Sequence, residues 1–241
     1  MKELGLSCGT FNPPHWWHLL AAQCAWEEFG LNKVLFIPNG QPVHKKNVLD
    51  KESRWELIVA ATAIDPVHFE PCRIELDRQG PSYTLDTLVE LKQLYGDGVR
   101  LNLIIGVDNI KPIPTWYKAD QIFKRCRLLI APRLNVDPDQ ARELAKNLPG
   151  GTDWEIIHAP SSDISSTMVR DWVRRGRRLE CLVPPAVQKL LLDRCHYKNC
   201  PEQEPLLRSG STAPDSPGAP PAPAGPDSPA APAAPDAQAK G

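Results

Sequence analysis

Leu4-Gly5-Leu6-Ser7-Cys8-Gly9-Thr10-Phe11-Asn12-Pro13-Pro14-His15-Trp16-Trp17-His18 is the stretch that decides the fold. An apolar run, residues 4–7, enters a loop bearing Gly and Pro, and an amphipathic run to residue 29 leaves it. A first strand turns there into a first helix. In α/β folds that turn is where a nucleotide's phosphates are held, because the N–H groups at the helix start point outward and carry partial positive charge. Gly9 has no Cβ, so a phosphate or base can approach its backbone. His15 and His18 share a face if both lie in the first turn, where two imidazoles could bind phosphate oxygens and stabilise a leaving group. A surface or capping pair is the plainer alternative. A zinc site has no third ligand at metal-binding spacing nearby.

Apolar runs and helical periods alternate outward from this loop. Strands are expected at residues 33–38, 67–69, 101–106, 127–132 and 154–158, and helices at 17–29, 51–64, 84–95, 137–147, 166–175 and 185–195, with a short helix before residue 127. Residues 70–81 read as a polar hairpin or loop. Continuously apolar strands separated by helices indicate a parallel sheet covered on both faces. The fold class is therefore α/β, a doubly wound, Rossmann-like parallel sheet closed by small C-terminal helices.

Composition bounds the rest. The chain has 241 residues and a net charge of −1, which gives no bulk field for nucleic acid. Residues 1–200 read as one domain and residues 201–241 as a tail, almost all Ala, Pro, Gly, Ser and Asp from Ser209, which cannot bury enough surface to order itself. Seven cysteines without a CxxC pair suggest free thiols in a reducing compartment. Lys2 and Glu3 lead straight into a strand, so no signal peptide is expected. No run approaches the ~20 apolar residues of a membrane span. A cytoplasmic enzyme is the expectation, with a homo-oligomer left open.

Four further segments carry chemistry. Ile164-Ser165-Ser166-Thr167-Met168-Val169-Arg170 sets three hydroxyls at a helix start, either as plain caps or as a phosphate cradle, with Arg170 one turn in as a forked anion ligand. Gly80-Pro81-Ser82-Tyr83-Thr84 feeds another helix start, and Tyr83 there is either a stacking ring or a core-edge tyrosine. Gly106 and Asp108 follow an apolar strand, where a carboxylate suits ribose hydroxyls, and Trp116 comes shortly after as an aromatic wall or core. Lys45, in a basic loop after the second strand, and Arg133, after the 127–132 strand, are either solvated charges or phosphate contacts.

The order and spacing of these segments resemble the bacterial nicotinate/nicotinamide mononucleotide adenylyltransferases, within the HxxH nucleotidylyltransferase superfamily. The likeness runs from about residue 4 to 197. It covers the opening loop, FIP with its following PVHK, Arg54, GPSYTLDTL, IIGVDN, Trp116, the APR strand end, ISSTMVR and LVPPAVQKLL. It implies that the 5′-phosphate of nicotinate mononucleotide attacks the α-phosphorus of ATP, pyrophosphate leaves, and Mg²⁺ rides on the phosphates. It also implies roles. His15, His18 and Arg170 act on the reacting phosphates. Gly9, Thr10, Phe11, Gly106, Asp108, Ile164, Ser165, Ser166 and Thr167 bind ATP. Lys45, Tyr83, Thr84, Trp116 and Arg133 bind the mononucleotide. The departures are Cys8 for a glycine, Asn12 for an aspartate, Pro14 for an apolar residue and Trp17 for the glycine of HxGH. An indole at residue 17 is expected either to block the adenine or to stack on it. A preference for the amide substrate, a sister nucleotidylyltransferase and a non-catalytic nucleotide-binding regulator are the alternative functions.

Overall fold

Alternation along the strands sorts the apolar side chains onto two faces of one sheet. The computed structural model describes residues 2–42, 48–133, 136, 138–160 and 162–197. Lys45, the expected helix start at residue 137 and the tail at 201–241 lie outside them. The strands are β1 (Lys2–Gly9), β2 (Lys33–Pro38), β3 (Phe69–Pro71), β4 (Val99–Gly106), β5 (Arg127–Ala131) and β6 (Trp154–Ile156). All pair in parallel, in the order β3-β2-β1-β4-β5-β6. The helices are α1 (Trp16–Phe29), α2 (Lys51–Thr62), α3 (Ile74–Asp77), α4 (Thr84–Tyr95), α5 (Ala119–Phe123), α6 (Pro138–Ala145), α7 (Ser166–Arg174) and α8 (Pro185–Asp193).

Because successive strand residues face opposite ways, two cores form. Leu4, Leu6, Leu35, Ile37, Leu101, Leu103, Leu128 and Ile130 meet α4, α5 and α6 on one face. Val34, Phe36, Ile104 and Leu129 meet α1, α2, α7 and α8 on the other. Gly5 lies on that second face, where a Cβ would come within 2.8 Å of Leu31 Cδ1 and 2.9 Å of Val34 Cγ2. The expected doubly wound sheet is thus the observed one. Its direction reverses between β1 and β4, and the crevice beyond their carboxyl ends is where open α/β sheets bind ligands.

Local boundaries differ where tertiary contacts decide them. Strand β3 starts at Phe69, two residues later than expected, because Val34 pairs with Phe69 while Val67 is left exposed. The expected loop after it contains α3, a single helical turn. Strand β6 ends at Ile156.

One buried side chain holds the loops at the crevice together. Arg54 on α2 is 1 % exposed. Its guanidinium donates to the carbonyls of Leu49 (3.0 Å), Thr10 (3.2 Å), Asn39 (2.5 Å) and Gly40 (3.2 Å). It therefore joins the loop after β1, the loop after β2 and the entry to α2. Arg54→Ala leaves up to four carbonyls without their donor. It is expected to cost about 3–5 kcal/mol and to lower the melting temperature by on the order of 10 °C. Calorimetry of the variant measures this, and a loss under about 1 kcal/mol would contradict the role.

Candidate active site

Helix α1 begins directly on the opening loop. His15 is its N-cap, with extended backbone (φ −149°) and 1 % exposure. The His15 N–H donates to His18 Nδ1 at 3.2 Å, and the two rings lie 3.8 Å apart, tilted by 33°. His18 Nδ1 thus accepts from the backbone at the start of its own helix, which fixes the orientation of its ring. Burial, reinforced by the charges of His18 and Arg133, holds the His15 pKa well below the ordinary histidine range. His15 is thus a neutral imidazole at pH 7, and its Nδ1 is buried with no protein partner. Phe11 takes a left-handed conformation (φ 49°), uncommon for a bulky residue. Its ring meets His18 edge-on at 4.9 Å. A Cβ on Gly9 would rest 3.6 Å from that ring, an ordinary contact. The packing of the loop itself does not demand glycine there.

Helix α7 is fastened to the same loop. Arg170 donates to Asn12 O (2.8 Å) and to Thr167 Oγ1 (3.0 Å), and Ser166 Oγ donates to Pro13 O (2.8 Å). Together with the Arg54 bond to Thr10 O, three loop carbonyls are neutralised by donors, which suits a loop meant for an anion. Asn12 Oδ1 accepts from Leu49 N–H (3.2 Å) and from Tyr197 O–H (2.7 Å). Ser165 accepts from Met168 N–H and caps its own helix. Of the segment at 164–170, the hydroxyls of Ser165, Ser166 and Thr167 are therefore all engaged with protein. The guanidinium of Arg170 is held between the opening loop and the start of α7. Ile164 is half-buried beside them.

Gly106 and Asp108 sit where expected, at the carboxyl end of β4. A Cβ on Gly106 would come within 2.3 Å of Asp108 Oδ1, so any larger residue there would displace that exposed carboxylate from the strand end. Arg133 leaves β5 next door, its Nε 3.9 Å from Asp108 Oδ1 and without a hydrogen-bond partner. Its charge also helps to hold down the His15 pKa.

The third wall is the start of α4. Ser82 Oγ accepts from the N–H groups of Gly40 (2.9 Å) and Gln41 (3.2 Å), which ties the segment at 80–84 to the end of β2. Tyr83 is the N-cap of α4, and Thr84 its first residue. The Tyr83 ring stacks on Tyr117 with centroids 4.5 Å apart, and Trp116 packs half-buried against the core beside it. Ser82, expected as a helix cap, instead straps the end of β2, whereas Tyr117, Asn39 and Glu75 stand outside every segment that the sequence marks. They lie in no apolar period, and only their proximity in the fold marks them.

Two departures in the opening loop find their place. Burial, then the charge of Glu75, pushes the Cys8 thiol well above the usual range, so it adds bulk without charge. Trp17 is 3 % exposed and belongs to the core cluster that includes Ala22, Leu57 and Val169. Both expectations for it are corrected in this structure. The indole is a core residue of α1, neither standing free in the crevice nor presented as a stacking face.

A cytidylyltransferase-like family model matches residues 6–171. The chain is 38% identical over 200 residues to a probable nicotinate-nucleotide adenylyltransferase of Moorella thermoacetica, covering 81% of this chain and 92% of that one. It is 37% identical to one from Dehalococcoides mccartyi, covering 81% and 97%. Among solved structures, nicotinic acid mononucleotide adenylyltransferase of Plasmodium falciparum, complexed with NaAD, superposes with a TM-score of 0.70 at 15% identity. That match covers 82% of this chain and 98% of that chain, and it shows the shared fold.

The neutral, buried His15 makes stability depend on pH. Its folded pKa is depressed below the unfolded value near 6.5, so the unfolded chain binds a proton that the folded chain refuses. Stability should fall as pH drops below about 6.5, by at most about 1.4 kcal/mol per pH unit from this residue. His15→Asn, which keeps a capping side chain, should flatten that slope relative to the unsubstituted protein in urea midpoints at pH 7.5 and 5.5. Trp17→Gly should cost about 4 kcal/mol in the same measurement by opening a core cavity; an unchanged midpoint would return the indole to the crevice.

Proposed function

The chain belongs to the cytidylyltransferase-like family and, within it, to the nicotinate-nucleotide adenylyltransferases, and on that premise we propose how its crevice carries out the reaction. The enzyme transfers the adenylyl group of ATP to nicotinate mononucleotide, giving deamido-NAD and pyrophosphate in NAD biosynthesis. The observation that supports the assignment of residues is the fastening of two helix starts to the loops beyond two adjacent strands, β1 and β2. Helix α7 is bound to the opening loop through Arg170–Asn12 and Ser166–Pro13, and the start of α4 is bound to the end of β2 through Ser82.

A phosphate oxygen of the mononucleotide forms a bond to the α-phosphorus of ATP while the bond from that phosphorus to the β-phosphate oxygen breaks. No side-chain nucleophile is needed. Catalysis is alignment of the two phosphates and neutralisation of the charge that builds on the transferring group. His18 donates from Nε2 to a phosphate oxygen. His15, kept neutral by burial, adds a donor or acceptor 3.8 Å from the His18 ring. Arg170 supplies the positive charge, together with the N-terminal ends of α1 and α7. Thr10, Phe11 and Gly9 present backbone to the triphosphate, Gly106 and Asp108 take the adenosine side, and Ser165, Ser166 and Thr167 shape the cradle. Tyr83, Thr84 and Trp116 enclose the pyridine ring, with Arg133 toward the mononucleotide; Lys45, outside the described residues, is assigned to the mononucleotide from its sequence motif alone.

ATP in this family travels with a divalent cation, which we assign as Mg²⁺. Magnesium takes oxygen ligands and holds chiefly to substrate phosphates and water. Among the described residues no group of three or more His, Cys, Asp or Glu comes together. The exposed Asp108 carboxylate is a hard oxygen donor at the mouth of the crevice, which fits an ion that arrives on ATP. The ion would screen phosphate charge and orient the leaving pyrophosphate. Among the described residues no helix is long and apolar enough to cross a membrane. The six described cysteines are all unpaired, which supports a reducing, cytoplasmic setting.

Purified protein with ATP, Mg²⁺ and nicotinate mononucleotide should release pyrophosphate and form deamido-NAD, followed by coupled phosphatase assay and chromatography. His18→Ala should lower kcat by on the order of 10²–10³, while loss of the bond to the His15 N–H, about 1 kcal/mol, lowers the melting temperature by only about 2–4 °C. A folded protein that turns over none of these substrates would falsify the reading.

A further inference from the structure

Glu75 lies in the single turn of α3, outside every segment assigned above, and is 2 % exposed. Its carboxylate accepts from Thr87 Oγ1 at 2.6 Å and from Asn39 Nδ2 at 2.8 Å. The backbone follows the same contact, since a Cβ on Gly40 would fall 2.0 Å from the Glu75 carbonyl oxygen. The two partners stand on opposite walls of the acceptor side. Asn39 directly follows β2, its N–H bonded to Gly9 O at 2.9 Å, so it borders the opening loop. Thr87 is one turn into α4, its N–H on Tyr83 O and its hydroxyl also accepting from Arg78 at 3.0 Å.

An ionised carboxylate only accepts hydrogen bonds. Glu75 therefore dictates which way the half-buried Asn39 amide faces. The nitrogen must turn to Glu75, and the oxygen turns to Thr10 Oγ1, 3.5 Å away. One N–H of the amide is then left to give to an oxygen acceptor at the carboxyl ends of β1 and β2. A glutamine at residue 75 would offer either an acceptor or a donor and would lose that choice.

We propose that Glu75 is a positioning residue for the acceptor nucleotide, holding the Asn39 carboxamide so that its spare N–H meets a ribose or phosphate oxygen of the mononucleotide. This rests on the adenylyl-transfer reading above. The same carboxylate fixes, through Thr87, the helix start that bears Tyr83 and Thr84, so both contacts to the acceptor are set by one buried charge.

The test uses Glu75→Gln and the double variant Asn39→Asp/Glu75→Gln in the full chain. Melting temperature, KM for each substrate, and calorimetric affinity for nicotinate mononucleotide are measured. Glu75→Gln should raise the mononucleotide KM by about tenfold, the loss of one oriented hydrogen bond, and leave the ATP KM within about twofold. In the double variant the new amide donates to the new carboxylate, so the buried bond re-forms with reversed polarity and the melting temperature recovers. The mononucleotide KM should stay high, because no N–H remains for the substrate. Wild-type KM values in Glu75→Gln, a parallel rise of both KM values, or recovery of mononucleotide KM in the double variant would each overturn the proposal. Wild-type protein that releases no pyrophosphate would overturn the adenylyl-transfer reading instead. Calorimetry then decides on Glu75 alone, weaker mononucleotide binding in Glu75→Gln supporting it and equal binding overturning it.

Discussion

The reaction end of the sheet depends on the burial of one guanidinium. Arg54 gives its N–H groups to four carbonyls from three chain segments. A planar cation with donors on three edges is the side chain that can satisfy so many backbone oxygens at once. Strand pairing sets β1 and β2 side by side, but it does not say how the loops beyond them end. Arg54 does, by pulling the carbonyls of Thr10, Asn39 and Gly40 toward one point. The opening loop, the Asn39 amide and the strap of Ser82 then share a common frame, and α7 closes on it through Arg170 and Ser166.

Electrostatics within that frame are divided between groups that carry charge and groups that must not. Two imidazoles 3.8 Å apart under a buried cap cannot both be protonated without a large penalty. Burial settles the matter by keeping His15 neutral. The positive charge is supplied by arginines, whose protonation does not change near neutral pH, and by helix starts. This division leaves the histidine pair with at most one charge. Cys8, protonated through burial, leaves the balance untouched.

Trp17 shows the limit of arguing from a motif. At the position of a motif glycine, a large ring reads as an obstruction or a stacking surface. In the structure it is a core residue, because α1 turns that side of its first turn inward, toward Leu57 and Val169. The hydroxyls of residues 165–166 carry a related lesson. Their place at a helix start is plain in the sequence, yet Ser165 caps its own helix and Ser166 holds the opening loop.

By itself the sequence determined the layer order and the location of the crevice. Apolar runs of period two and helical periods are local properties, and parallel strands joined by helices admit few topologies. It also marked His15, His18, Arg170, Tyr83 and Asp108, because histidines, arginines and glycine-flanked carboxylates at strand ends stand out along the chain. Only the tertiary structure decided which of these groups are charged, which hydroxyls are already engaged, and that Arg54, Asn39, Ser82 and Glu75 bind the walls together. Those facts depend on burial and on hydrogen bonds between residues far apart in sequence. Asn39 and Glu75 are separated by 36 positions, and Ser166 and Pro13 by 153. No local pattern records such a partner, since a donor and its acceptor are matched by position in space and by the cost of leaving either one buried alone.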